Sequence, residues 1–393
     1  MSEWKRKTLG DLEIVSGGTI QTGPFGSQLH MSDYSAEGVP VVMPTNIAGM
    51  RIDPSGIARV DVSHVERLAK HRLRKGDIVY SRRGDVEKCA LVTDTEEGWL
   101  CGTGCINVRV QGPQVDPVFL SYALSMPKVQ EWIRRHSVGA TMANLNTSIL
   151  REVAVPIPSM RTQRAIAEVL GALDDKIAAN RRTIDTADTL RAAIWGKATR
   201  DAHHVLLSSL AAFINGGAFT KGASGNGRPV IRIVEMNQGV SDATVRTDLE
   251  VKDDQVVRAG DFLMSWSGSL TTSRWFGEES ILNQHIFKVI PAEGVPLWAV
   301  ASAVETKMPY FQFVASNKAT TMGHIQRHHL DEDVAWPTVT SALNLQGTAL
   351  WDLALAAERE NQVLASTRDE LLPLLMSGRI TVGAASSHVE EVV

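Results

Sequence analysis

The feature that most constrains this chain is that its sequence is written twice. Arg74-Lys75-Gly76-Asp77 opens the apolar run Ile78-Val79-Tyr80, and Arg258-Ala259-Gly260-Asp261 opens Phe262-Leu263-Met264 184 residues later. Ser125-Met126-Pro127 returns as Lys307-Met308-Pro309 after 182 residues, and Ala140-Thr141-Met142 as Thr320-Thr321-Met322 after 180. Asn180 returns as Asn361, with Leu190, Ile194 and Trp195 answered by Leu371, Leu375 and Met376. Each match is weak, but they share one order and a nearly constant offset. That is the signature of a tandem duplication with a period near half of the 393 residues.

Both copies follow one plan. Short strands separated by Gly-Gly, Gly-x-Pro and Gly-Asp turns come first. A helical stretch follows, Val118 to Arg135 around Pro127 and Pro296 to Val314 around Pro309, and proline predicts a bend in both. A loop (137–148; 315–328) leads to an apolar segment ending in proline, Val153–Pro158 and Val334–Pro337. The fold class read from this is α+β: two mixed domains, 1–158 and 200–340, each followed by a long helix, 159–199 and 341–379. Residues 380–393 read as a flexible tail.

The helices carry a seam of 3-4 spacing. In the first it runs Ile166, Leu170, Leu173, Ile177, Asn180, Ile184, Ala187, with Leu190 and Ile194 closing it. In the second it runs Leu350, Ala354, Ala357, Asn361, Leu364, Leu371 and Leu375. At ~1.5 Å per residue each helix is roughly 55 Å long, too extended to bury such a seam on one small domain. The two seams are therefore expected to bury each other as an antiparallel coiled coil. Leu173, Ile177, Asn180, Ile184, Ala357, Asn361 and Leu364 are the pairing residues, with Asn180 and Asn361 setting the register.

Net charge is −4, but it is unevenly held. Residues 1–200 carry 26 Lys+Arg against 22 Asp+Glu (+4), and residues 201–393 carry 14 against 22 (−8). Eight basic and four acidic residues fall within 65–90. The total therefore does not decide whether nucleic acid is a partner. No apolar run reaches the ~18–20 residues of a membrane span, and the N-terminus has no apolar signal region, so a cytoplasmic protein is expected. The spacing Cys101-x-x-x-Cys105 lacks a second ligand pair, and His324, His328 and His329 lack the Glu of an H-E-x-x-H site, so no metal is expected. Phosphate-loop, dinucleotide and nucleophile-elbow motifs are missing, and no catalytic residue is assigned.

The duplicated plan resembles the specificity (S) subunit of type I restriction–modification enzymes. The most specific stretch is Val155-Pro-Ile-Pro158, Thr162-Gln163-Arg164-Ala165-Ile166, Leu173-Asp-Asp-Lys-Ile177 and Asn180-Arg181-Arg182. Lys75-Gly76-Asp77-Ile78, Gly260-Asp261-Phe262 and Asn283-Gln284-His285-Ile286-Phe287 are also typical, while Leu345-Gln346-Gly347 is a degenerate start to the second helix. The resemblance implies a non-catalytic chain whose two target-recognition domains read a bipartite site on double-stranded DNA. Its helices would dock two methylation subunits, which bring S-adenosylmethionine, and restriction (motor–nuclease) subunits would bring ATP and Mg2+.

The candidate reading residues lie just after the Gly-Asp strand and in the loop after the proline helix. They are Ser81, Arg82, Arg83, Thr141, Asn144 and Asn146 in copy one, and Ser265, Trp266, Ser267, Thr321, His324 and Arg327 in copy two. Arginine bonds guanine bidentately, and Ser and Asn suit other base edges or phosphate. Arg72 and Lys75, within the basic stretch from Arg67, are expected on phosphate. Two other readings stand beside this one: a protein-binding adaptor, favoured by the acidic second half, and a cryptic nuclease or methyltransferase, for which no motif is found.

Overall fold

The computed structural model describes residues 4–139, 143–316 and 323–390. It divides into two compact units, Met1–Asp175 with Ala365–Val393, and Lys176–Leu364. Two helices contribute a segment to each unit: Met160–Ala198, of 39 residues, and Ser341–Met376, of 36.

The first unit holds four sheets among the described residues, one of them the small pair Ile47–Ala48 with Arg51–Ile52. Lys5–Thr8 pairs antiparallel with Ala154–Ile157, closing the domain just before the first long helix. One four-stranded sheet runs Thr19–Thr22, Cys105–Arg109, Ile78–Ser81, Cys89–Leu91; the other runs Leu100–Cys101, Val39–Val42, Ala58–Val60, Tyr34–Ser35. The second unit holds counterparts of the other three. His203–Leu206 pairs with Asp333–Trp336, and a four-stranded sheet runs Ala211–Asn215, Ile286–Pro291, Phe262–Ser265, Thr272–Arg274. A single parallel pair recurs in both, Val41-Val42 with Leu100-Cys101 and Val230-Ile231 with Ile281-Leu282.

The repeated Gly-Asp motif has a local cause. Gly76 and Gly260 take left-handed φ values of 86° and 99°, which glycine reaches without penalty. The aspartate after each then accepts a backbone N–H three residues back, Arg74 to Asp77 and Arg258 to Asp261. Behind the turn, Asp77 is fully buried and met by Arg109 and Asn107, while Asp261 is met by Lys288 at 2.8 Å. The strands that follow, Ile78–Ser81 and Phe262–Ser265, are buried at every position, which explains their unbroken apolar runs.

The helices run antiparallel. In the second unit Asn180 lies opposite Glu360, and eleven residues later Arg191 lies over the ring of Trp351. Leu173, Ile177, Ala187, Ala354, Ala357 and Leu364 are buried, and Ile184 is partly so. Asn180 is buried on the seam, where its Nδ2 donates to Glu360 Oε2 of the other helix at 2.7 Å, and Lys176 joins the same carboxylate. One detail of the seam differs from expectation. Beyond Ala187 the buried edge passes through Arg191 and Trp195 rather than Leu190, which is 49% exposed, because 3.6 residues per turn drifts off a strict heptad.

Pro127 separates two helices, Pro117–Ser125 and Pro127–His136, with Met126 extended as a residue before proline prefers. The second copy departs from this: Leu297–Ser316 runs as one helix through Pro309, its flanks Met308 and Phe311 buried in the unit's core. The C-terminal stretch is also corrected. Val382–Glu390 is helical rather than a flexible tail, since Ala385 and Val389 are buried.

Each unit is tied to its helix segments by charge, in different ways. In the first, Asp174 accepts from Tyr122 and from Arg368 across the helix pair. In the second, Arg274 forks onto Glu358 and reaches Asp188, while Arg191 meets Asp188, Glu305 and Ser302. Both arginine side chains are 5% exposed, and Arg274 also lies 4.7 Å from the Trp351 ring centroid. Removing one member of such a buried set strands the others. Arg274→Ala is expected to cost about 3–5 kcal/mol, read by chemical denaturation. Burial pushes the Glu305 and Glu358 carboxyls above their ordinary pKa. Their favourable contribution is therefore full below the ordinary carboxylate value and lost as pH rises through the raised one. Glu305→Gln should accordingly lose stability relative to the parent at pH 4 and recover that loss by pH 8, in thermal melts at both pH values.

Candidate nucleic-acid interface

The residues predicted to read DNA come from segments some sixty residues apart, and in each unit the fold joins them. In the first, Gly84 donates to Ala143 O and Leu145 donates to Arg82 O, so Arg83 and Asn144 face each other as a short antiparallel bridge. In the second, Gly268 donates to Gly323 O and Ile325 donates to Trp266 O, placing Ser267 against His324. A third segment, which the sequence reading did not assign to the surface, completes each frame: Arg82 N–H donates to Gly104 O, and Trp266 N–H to His285 O. The backbone bonds are the same in both units. The side chains they present are not.

Within this frame the candidates separate. Arg83 is exposed and Arg82 partly buried, its Nε without a partner among the described residues. Asn144 is partly buried and likewise leaves Oδ1 unpaired. Trp266 is partly exposed, its Nε1 donating to Asn215 Oδ1 at 2.9 Å and its ring against those of His285 and Phe287. His324 is partly exposed, and Arg327 is exposed with one contact to Phe213 O. Thr141 and Thr321 lie outside the described residues.

Three candidates are corrected. Ser81 and Ser265 end the central strands and are 2% and 0% exposed. Their hydroxyls close the turns, Ser81 onto Arg83 O and Ser265 onto Ser269 O, so neither reaches a base. Their recurrence in both copies reflects this turn. Ser267 is 5% exposed and bonded to His285 Nδ1 at 2.8 Å, so it supports a neighbour instead of presenting itself. Asn146 is exposed, but its Oδ1 accepts from Ile149 N as the cap of the helix Thr147–Glu152.

Arg72 and Lys75 are exposed, and Lys75 pairs with Asp94 at 2.7 Å. His71 beside them is buried, and burial holds its pKa below the ordinary imidazole value, so it adds no charge at neutral pH. Gln163, quoted for its motif, is fully buried: it accepts from Asp116 N and donates to Gln114 O and Pro158 O, fastening the helix start to the domain. No group of His, Cys, Asp or Glu suited to a metal occurs among the described residues, and no helix among them is long and apolar enough to cross a membrane.

Lys75→Ala and Arg72→Ala are each expected to weaken DNA binding evenly across sequences and to reduce the salt slope by about 1, in binding titrations at several salt concentrations. Ser265→Ala should cost about 1 kcal/mol of stability while leaving sequence choice intact, in paired melting and binding assays.

Residues 1–187 match the family described as type I restriction modification DNA specificity domain. Among curated relatives, the type I restriction enzyme MjaVIII specificity subunit of Methanocaldococcus jannaschii is 20% identical over 187 residues, 46% of this chain and 44% of that protein. The type I restriction enzyme HindI specificity subunit of Haemophilus influenzae is 23% identical over 201 residues, 50% and 40% of the two. The chain spans a little under half the length of the curated relatives it matches. Among solved structures, the type I restriction–modification system S subunit from M. genitalium shares the fold with a TM-score of 0.56 at 17% identity, covering 95% of this chain and 96% of that one. Residues 1–187, a little under half of the chain, thus match the family of type I restriction modification DNA specificity domains, and the chain over nearly its whole length shares its fold with the M. genitalium S subunit.

Proposed function

We propose that this chain is the sequence-recognition and scaffold subunit of a type I restriction–modification complex. Each unit reads one half of a bipartite site on double-stranded DNA. The observation that carries this is the shared frame with exchanged side chains: Arg82, Arg83 and Asn144 in one unit stand where Trp266, Ser267 and His324 stand in the other. Two unlike half-sites ask for that combination, constant placement with altered donors and acceptors.

In this reading the chain is non-catalytic. Two methylation subunits dock on the helices and carry S-adenosylmethionine, and restriction subunits carry ATP and Mg2+. The chain's own work is binding and orientation: basic residues such as Arg72 and Lys75 set the position on phosphate, and the loops choose the bases. The test is binding of the chain, assembled with its cognate methylation subunits, to a pool of duplexes at several salt concentrations. Preference for a bipartite sequence with a marked salt slope is expected. No sequence preference with a slope near zero overturns the proposal in favour of a protein-binding adaptor, and methylation or cleavage by the chain alone overturns its non-catalytic role.

A further inference from the structure

We propose that a groove in the first unit docks a segment of a partner protein that brings an aromatic side chain beside a carboxylate. The groove holds about 1050 Å³. The paired strands Lys5–Thr8 and Ala154–Ile157 form its floor through Arg6 and Pro156, which lie opposite each other in register. Lys128 and Trp132, on the helix Pro127–His136, form one wall, and Trp4 with Met376 at the end of the second long helix completes it. Both tryptophans are partly exposed, and Trp132 stacks on His136 with ring centroids 3.9 Å apart. An exposed recess walled by large apolar side chains is the kind of surface that binds.

The duplication shows what fits there. In the second unit Met376 is answered by Trp195, 3% exposed, whose ring lies edge-on to Trp298 and Trp336 at 5.9 and 5.5 Å. Met126-Pro127-Lys128 is answered by Met308-Pro309-Tyr310, and Tyr310 donates to Glu332 at 2.7 Å. Glu332 stands where the first unit has Val153, since each backbone carbonyl accepts from the matching leucine, Leu207 in one and Leu9 in the other. Trp336 likewise stands where the first unit has Ile157, each the last residue of its strand and opposite the first of its partner. The second unit thus fills this place with its own indole and carboxylate. The first keeps the surroundings and lacks both. Lys128 is exposed and pairs with no carboxylate among the described residues, and Arg6 spends its bond on Ala154 O. Along the lining these two cations face one acid, Glu152. The missing groups define the occupant: a ring that meets Trp4 and Trp132 as Trp195 meets its neighbours, and an acidic group for Lys128. This surface is independent of the one proposed to read DNA.

Two measurements on the full chain test it. Met376→Trp gives the first unit the residue that the second already has, and it is expected to melt a few degrees above the parent. The parent labelled with 5-fluorotryptophan is then titrated with the capped peptides Asp-Trp-Asp, Lys-Trp-Lys and Asp-Ala-Asp and followed by fluorine NMR. The Trp4 and Trp132 signals are assigned from Trp4→Phe and Trp132→Phe. Asp-Trp-Asp should shift both signals saturably, Lys-Trp-Lys should bind about fivefold more weakly, and Asp-Ala-Asp should leave them in place. Lys128→Glu should reverse the order of the first two peptides, and Met376→Trp should abolish the response. A lower melting temperature in Met376→Trp overturns the inference, as does no response to Asp-Trp-Asp, or a response shared by all three peptides or kept in Met376→Trp. Self-association of the parent that Met376→Trp removes, seen by analytical ultracentrifugation, overturns it in favour of a second copy of this chain.

Discussion

The structure depends on one constraint: the two long helices carry apolar seams that a single small domain cannot cover. Burying Leu173, Ile177, Ala357 and Leu364 requires the helices to lie against each other, and antiparallel pairing makes each compact unit out of distant parts of the chain. Residues 365–393 therefore complete the unit that begins the sequence. Contacts such as Asp174 with Arg368 in that unit join residues nearly two hundred apart, and long closures of this kind are slow to form but cheap to lengthen.

Once the seam is fixed, each domain must be fixed to its helix segments, and the copies solve this differently. Tyr122, Asp174 and Arg368 form a compact set in one; Arg274, Asp188, Arg191, Glu358 and Glu305 form a larger one around Trp351 in the other. A seam of apolar contacts is tolerant of small rotations, whereas forked arginine–carboxylate bonds are directional. The charged sets thus set orientation, and the apolar seam supplies most of the attraction.

Much of this was legible in the sequence because it rests on repetition and period. The duplication, the long helices and their seam follow from offsets and 3-4 spacing. What was not legible is how a polar residue is used. Ser81 and Ser265 recur at matching places in polar loops, which suits surface residues equally well, and only their burial shows the turn they close. Arg191 is absent from the seam read off the 3-4 spacing, yet it is a buried member, because its partners Glu305 and Ser302 come from another element. Pro309, unlike Pro127, does not end its helix, and Met308 and Phe311 beside it are buried in the unit's core. The third segment was noted in the second copy for its motif but not placed at the interface, because what aligns Gly104 with His285 is a shared backbone angle and not a shared residue type.

The frame of the interface explains how two unlike surfaces can stand on one fold. Its contacts are backbone N–H to backbone C=O: Gly84 to Ala143, Leu145 to Arg82, Arg82 to Gly104, and their counterparts. Such bonds are indifferent to side-chain identity, so arginine can give way to tryptophan at one place and asparagine to histidine at another without disturbing the strands beneath. The buried serines lie on the constant side of this division, and the residues beside them on the variable side. A fold whose loops are framed by main-chain bonds and by the buried serines can change the side chains it presents while leaving its core, its seam and its helix anchors untouched.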